Sequence, residues 1–436
     1  MLATYTDDYV NDLVHVPTVY ERMRERDPEV LVWVAMHQLY RGADLLLVAR
    51  RAVMFNAFEA YAQAELAEVT DQKMSRKVYE TLDKEVVGDV VSALEDGPVP
   101  DVLTVYVSGT DLFAHVATDG PDTARRTYLR EVVDPLMDEL REALARRGAL
   151  ENRYVVVTAD HGHTAVAHDE RHALGAGDPT PPAKVIEAAG FRLRPFALDT
   201  TREDFDAVLA YGGAFAYVYA ADRSTCRRPG EPCDWSRPPR FRQDVLPLAD
   251  RFYRNNLHGR DVPAMKGTLD MILTRRPRPQ PESDRPFEVY VGNGRLEPVG
   301  RYLRSHPHPT YVDVERRLRD LAAGPLGERA GDVLLIAHDG DRARVEDRYY
   351  FAPPYHSWHG SPSKRDSEIP LIVAHPARAE GTIGRLVRSA LGDGGRQERI
   401  TDLLLALRLH DASAEAPRLA IDAVLPERGR WVRRTR

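Results

Sequence analysis

Asp160 and His161 stand side by side in Val155-Val-Val-Thr-Ala-Asp-His-Gly162-His163-Thr164, where a β-branched run ends. A carboxylate beside an imidazole is a donor pair suited to zinc or a similar dication. On a regular strand neighbouring side chains point to opposite faces, so the two can share a target only past the strand end. Gly162 is read as supplying the backbone freedom for that turn. Two more segments carry the same residue types. Ser108-Gly-Thr-Asp111-Leu-Phe-Ala-His115 sets Asp and His on one face of a helical turn, where both reach one cation. A long aromatic stretch ends in Tyr355-His356-Ser-Trp358-His359-Gly-Ser-Pro362.

Each segment follows a run that reads as a strand: Val102–Val107, Tyr154–Thr158 and Asp332–Ala337. In open α/β sheets ligands gather outside the carboxyl ends of strands, so the three loops are expected to converge. Glu29–Met36 reads as a further buried strand, preceded by a helical Thr18–Glu25. Apolar positions at Tyr128, Leu129, Val132, Val133, Leu136, Met137, Leu140 and Leu144 predict a helix over Asp122–Arg147. That helix would make a right-handed crossover between the strands on either side of it. A helix at Thr310–Ala323, a strand at Ile369–Ala374 and helical stretches at 382–391 and 399–409 continue the alternation. The pattern predicts an α/β fold with a mostly parallel central sheet flanked by helices. From 195 to 297 the texture changes. Proline and arginine cluster at 227–240 and 275–285, among short alternating segments such as Ala214–Ala220 and Glu288–Val291. This stretch reads as an inserted cap subdomain. The core is then expected at 1–194 and 298–427, with 428–436 as a basic tail.

The chain has 436 residues, 43% hydrophobic and 29% charged, enough for one large core with an insertion or for two domains. A net charge of -7 and a pI near 6.1 give no support for binding a nucleic-acid polymer. No run of about 18 apolar residues predicts a membrane span. Met1–Asp8 has neither the basic nor the apolar part of a signal peptide, which taken literally predicts a cytoplasmic protein. Cys226 and Cys233 flank Arg-Arg-Pro-Gly-Glu-Pro and are placed to close a small loop as a disulfide, a feature of oxidising compartments. Two cysteines are too few for a Cys-only zinc site.

The order of the three ligand segments, followed by Glu368-Ile-Pro-Leu-Ile-Val and Ile400-Thr-Asp-Leu-Leu-Leu-Ala-Leu, resembles the alkaline phosphatase superfamily. Within it the likeness is to the type I phosphodiesterase/nucleotide pyrophosphatase family. The resemblance implies an alkaline-phosphatase-like sandwich and a two-metal site, with zinc the expected ion. Asp111, His115 and His359 would hold one ion, and Asp160 and His161 the second. Two cations about 3.5–4 Å apart clamp the attacking and leaving oxygens of a phosphoryl group. A small phosphate ester or a nucleotide is the implied substrate. His163 is expected to orient a neighbour or a bound phosphate. His356 is the alternative to His359 as ligand, and His168 is assigned neither role. Tyr349, Tyr350, Phe351, Tyr355 and Trp358 either wall a pocket for the leaving group or pack their loop onto the core.

The family begins with a strand ending in Asp-Gly, whose Asp is a metal ligand, followed by a Ser or Thr nucleophile. No such segment is read ahead of Asp111: Asp7 and Asp8 lie in a polar stretch, and Thr110 belongs to the wrong segment for the nucleophile. The sequence therefore identifies no nucleophile and leaves the second ion two ligands. The expectation is a chain truncated or mis-started at its N-terminus, whose location is periplasmic or extracellular if a leader was lost. The expected function is metal-dependent hydrolysis of phosphate esters. The alternatives are a non-catalytic metal-binding remnant, or another superfamily branch such as a sulfatase or a cofactor-independent phosphoglycerate mutase.

Overall fold

The computed structural model describes residues 9–65, 72–196, 201–228, 230–276, 285–324, 327–392, 395–412 and 432–433. Asp7, Asp8, most of the basic tail and most of the 275–285 cluster lie outside them. The chain forms two compact units, residues 1–160 with 370–436 and residues 161–369.

In the first unit, β1 (Val32–Ala35) pairs in parallel with β2 (Leu45–Leu47) on one side and β3 (Val102–Val105) on the other. Val-Trp-Val-Ala is apolar throughout and buried throughout, as a strand covered on both faces requires. The helix Gln72–Asp96 turns Tyr79, Leu82, Val86 and Val90 inward at helical spacing. The helix Val19–Arg26 opens with a reciprocal cap between Thr18 and Glu21, which fixes the start read from the sequence. The single helix expected over Asp122–Arg147 is divided into Pro121–Tyr128, a π turn at Leu129–Val133, and Asp134–Arg146. Pro135 has no N–H to give to the preceding turn, and the backbone widens just ahead of it.

The crossover expected from β3 to the next strand does not bring the two into register. β4 (Val155–Thr158) pairs instead, antiparallel, with Leu371–Ala374, here β13. The helices Glu380–Leu391 and Ile400–Ala412 cover one face of this ribbon, packing Leu391, Leu403 and Leu407 against Val156, Leu371 and Val373. Val157 and Ile372, one residue out of phase, are 38% and 56% exposed on the other face.

The second unit is built on six strands in the order β10-β9-β8-β11-β7-β6. They span β6 Ala207–Tyr211, β7 Phe215–Ala220, β8 Leu269–Arg275, β9 Phe287–Tyr290, β10 Leu296–Pro298 and β11 Val333–Ala337. Every pairing is antiparallel, so the mostly parallel sheet expected from the sequence does not describe the largest sheet. Continuous apolar runs such as Val333–Ala337 are the usual mark of parallel strands because those are covered on both faces. Here an antiparallel sheet is covered on both faces as well. Leu248, Phe252, Val185 and Ile186 pack on one side with Leu335 and Val218. Val314, Leu318 and Val299 pack on the other with Leu334 and Met271.

Segment 195–297 thus supplies strands to the same sheet as β11, which lies between β7 and β8. A short antiparallel pair, β5 (Thr164–Ala165) with β12 (Ser357–Trp358), completes the unit. Cys226 and Cys233 are joined by a disulfide. Among the described residues no helix is long and apolar enough to cross a membrane.

Candidate metal centre

In the first unit, Asp111 and His115 lie one turn apart on the helix Gly109–Val116, which begins four residues beyond β3. His115 Nε2 is 3.4 Å from Asp111 Oδ1. Two N/O ligands each about 2.0–2.1 Å from a tetrahedral ion sit about 3.3–3.4 Å apart, so the pair suits one cation as it stands.

A second carboxylate, which the sequence reading missed, holds this helix. Asp83 Oδ1 accepts from Ser108 N at 3.1 Å, and Oδ2 accepts from Gly109 N at 3.0 Å and from Tyr128 OH at 2.7 Å. Asp83 therefore fastens the helix start by its own N–H groups, where negative charge is favoured. Burial pushes the Asp83 carboxyl up to about 6, against the Tyr128 and backbone hydrogen bonds that pull it down. A raised carboxyl makes its contribution to stability below the unfolded value near pH 4, and that contribution is lost as pH rises through about 6. The shift amounts to about 3 kcal/mol at about 1.4 kcal/mol per unit. Urea melts between pH 4 and 6.5 should show this decline in the wild type, and Asp83→Asn should flatten it. An unchanged slope in Asp83→Asn would remove Asp83 as its source.

β4 delivers Asp160 at its end, where the side chain is exposed. Gln397 Nε2 donates to Ala159 O at 3.3 Å and to Asp160 O at 3.1 Å, fixing the backbone at this point.

In the second unit three histidines converge. The rings of His161 and His359 stack with centroids 3.6 Å apart, and His163 stands 5.5 Å from the first and 5.3 Å from the second. His161 Nδ1 is 3.1 Å from Gly162 O. A carbonyl only accepts, so Nδ1 carries the proton and Nε2 the lone pair that a metal needs. His163 is buried, with Nδ1 3.1 Å from Ser357 Oγ.

Asp366 clamps the two histidine segments together. Its Oδ1 accepts from Thr164 Oγ1 at 2.7 Å. Its Oδ2 accepts from Ser361 N at 2.9 Å and from Ser361 Oγ at 2.6 Å. The Asp366 carbonyl accepts from Gly162 N at 2.9 Å. Burial raises the Asp366 carboxyl, and the Ser361 and Thr164 hydroxyls oppose the rise.

Gly162 answers a different need from the one the sequence suggested. It is not among the residues of positive φ; a Cβ there would stand 2.0 Å from Arg365 O, so the requirement is space. Gly360, after His359, does need the left-handed region, at φ +101.

His356 does not join the three histidines. Its ring stacks on His168 at 4.2 Å, and burial, helped by the His168 charge, lowers it to about 4. Of the aromatic stretch, Tyr350, Phe351 and Tyr355 are buried, the packing alternative of the two read from the sequence. Trp358 stacks between Tyr355 at 5.0 Å and His359 at 5.6 Å, steadying the histidine.

No curated protein matches this chain. One protein family does, and its match contains Asp111, His115, Asp160, His161 and His163, while His359 and Asp366 lie beyond its end. The strand-end pairs therefore fall inside the matched region: residues 15–226 match the type I phosphodiesterase / nucleotide pyrophosphatase family, consistent with the alkaline phosphatase superfamily.

Proposed function

We propose that this protein is a metal-dependent hydrolase of small phosphate esters, with phosphodiesters or nucleotides as its substrate class. Asp111, His115 and His359 are the proposed ligands of one divalent ion, and Asp160 and His161 of a second, with zinc the ion that this mixed N/O donor set suits. Bound there, such ions withdraw charge from a phosphoryl oxygen. Asp111 and His115 hold their donor atoms at ligand spacing before any ion arrives, because Asp83 fixes the helix that carries them. His163, steadied by Ser357, is the residue proposed to orient the phosphate. The observation that carries the reading is the convergence of His161, His163 and His359 about the Asp366 clamp, together with the family match over 15–226.

The test sets bis-nitrophenyl phosphate beside nitrophenyl phosphate and nitrophenyl sulfate, using chelator-treated protein with and without added zinc. The expected result is zinc-restored turnover of the diester ahead of the other two. Turnover of the sulfate alone would assign the chain to sulfate-ester chemistry. Zinc bound tightly with no turnover of any of the three would make it a metal-binding protein and overturn the enzyme reading.

A further inference from the structure

Another group of donor side chains lies in the second unit and shares no residue with the histidines above. Asp270 is the second residue of β8, and His338 follows β11 directly. The β8–β11 ladder shifts register between Ile336 and Ala337, next to His338. Such irregularities re-aim side chains beside functional sites. Asp270, His338 and Asp341 each offer a ligand atom, and these atoms all lie within 4.8 Å of one another.

The finer geometry is that of a cation cage. Tyr311 OH donates to Asp270 Oδ2 at 2.8 Å and so fixes the carboxylate plane. The other oxygen, Oδ1, then faces His308 Nε2 at 3.3 Å and His338 Nδ1 at 3.7 Å. Ligands of a tetrahedral zinc-like ion stand about 3.3–3.4 Å apart, so both separations are close to what an ion requires. His308 Nε2 is buried and makes no hydrogen bond, although a carboxylate oxygen is this near. The nitrogen thus lies beside Asp270 Oδ1 without aiming at it, the relation of two ligands of one ion. His338 Nδ1 also lies 2.8 Å from Asp341 Oδ2.

With neutral histidines the group carries two negative charges, the complement of a dication. Arg342 offsets them in part: its Nη2 is 2.9 Å from His338 Nδ1 and its Nε 3.1 Å from Asp341 Oδ2. The Arg342 side chain is 44% exposed, with room to swing away. An open groove of about 530 Å³ is lined by His308 and Tyr311, which border the group on one side.

We propose that Asp270, His338 and Asp341, with His308 as fourth donor, form a further divalent-cation site, suited to zinc or another borderline transition metal. Arg342 competes with the ion for Asp341 and the His338 ring.

The test uses the full chain, stripped with chelator and titrated with Co2+, read by visible ligand-field absorption and by metal content per chain. The double variant His308→Ala/His338→Ala should bind one ion fewer than the wild type. Arg342→Ala should bind Co2+ about three- to tenfold more tightly at this site, since one nearby like charge is gone. Equal metal content in the wild type and a folded double variant would overturn the proposal. Should the double variant fail to fold by circular dichroism, Arg342→Ala decides alone: tighter Co2+ binding supports the site, and unchanged affinity overturns it.

Discussion

Asp111→Ala and His359→Ala are each expected to lower the proposed zinc-dependent phosphodiester turnover by about a thousandfold or more. A Lewis-acid ion contributes several kcal/mol of charge stabilisation, and each 1.36 kcal/mol is tenfold in rate. Removing one of the three proposed ligands should weaken the hold on that ion or displace it. Asp111 is well placed for a clean experiment, because its side chain is 28% exposed on a helix fastened by Asp83 rather than by Asp111 itself. Its loss should leave the urea midpoint nearly unchanged while kcat/KM falls. His356→Ala is the matched control: that ring stacks on His168, and turnover should stay within severalfold of the wild type. Undiminished activity in both Asp111→Ala and His359→Ala would sink the ligand assignment.

The largest effect on stability is expected from Asp366→Ala. The variant leaves Thr164 Oγ1, Ser361 N and Ser361 Oγ without the carboxylate that accepts from them, in a buried site. Hydrogen bonds to a charged group contribute about 1.5–3 kcal/mol each, and orphaned buried donors add a desolvation cost. Because such terms overlap when they share one carboxylate, the sum is expected to be about 4 kcal/mol rather than the full additive total. The same clamp positions His161 and His359, so zinc affinity should fall about 10- to 100-fold even under conditions where the variant is folded. Denaturant melts and zinc titration check the two parts separately. An unchanged midpoint with unchanged zinc affinity would mean that Asp366 holds nothing that matters.

The contrast between His161 and Asp366 shows what sequence reasoning reaches. Val155–Thr158 followed by Asp160-His161-Gly162 is a local pattern: a strand, its end, and donors just beyond it. Asp366 sits in Ser363-Lys-Arg-Asp-Ser-Glu, which reads as a solvated turn of helix, and its burial depends on partners more than a hundred residues away. Asp83 was legible in principle, since it lies on the same face as Tyr79, Leu82, Val86 and Val90, where an acid is out of place. The helix around it was not identified, so the anomaly was not visible. Strand direction failed for another reason. A strand covered on both faces looks the same in sequence whether its neighbours run parallel or antiparallel, and Val333–Ala337 is such a strand. β13 alternates in exposure, as a strand with one covered face does, but its residues Leu-Ile-Val-Ala are apolar throughout and carry no such clue.

The β5–β12 pair that brings the three histidines together joins residues far apart along the chain. His163 meets Ser357 across 194 residues, and Thr164 meets Asp366 across 202. A loop of that length is closed at an entropic cost that rises with the logarithm of its length, and contacts of such separation form slowly. The strands of the six-stranded sheet lie within that span, so folding of the sheet shortens the distance these contacts must cross. The histidine cluster is therefore expected to form late in folding. Recovery of zinc binding after dilution from denaturant should lag behind recovery of β structure, which makes the metal a reporter of the last step rather than the seed of the first.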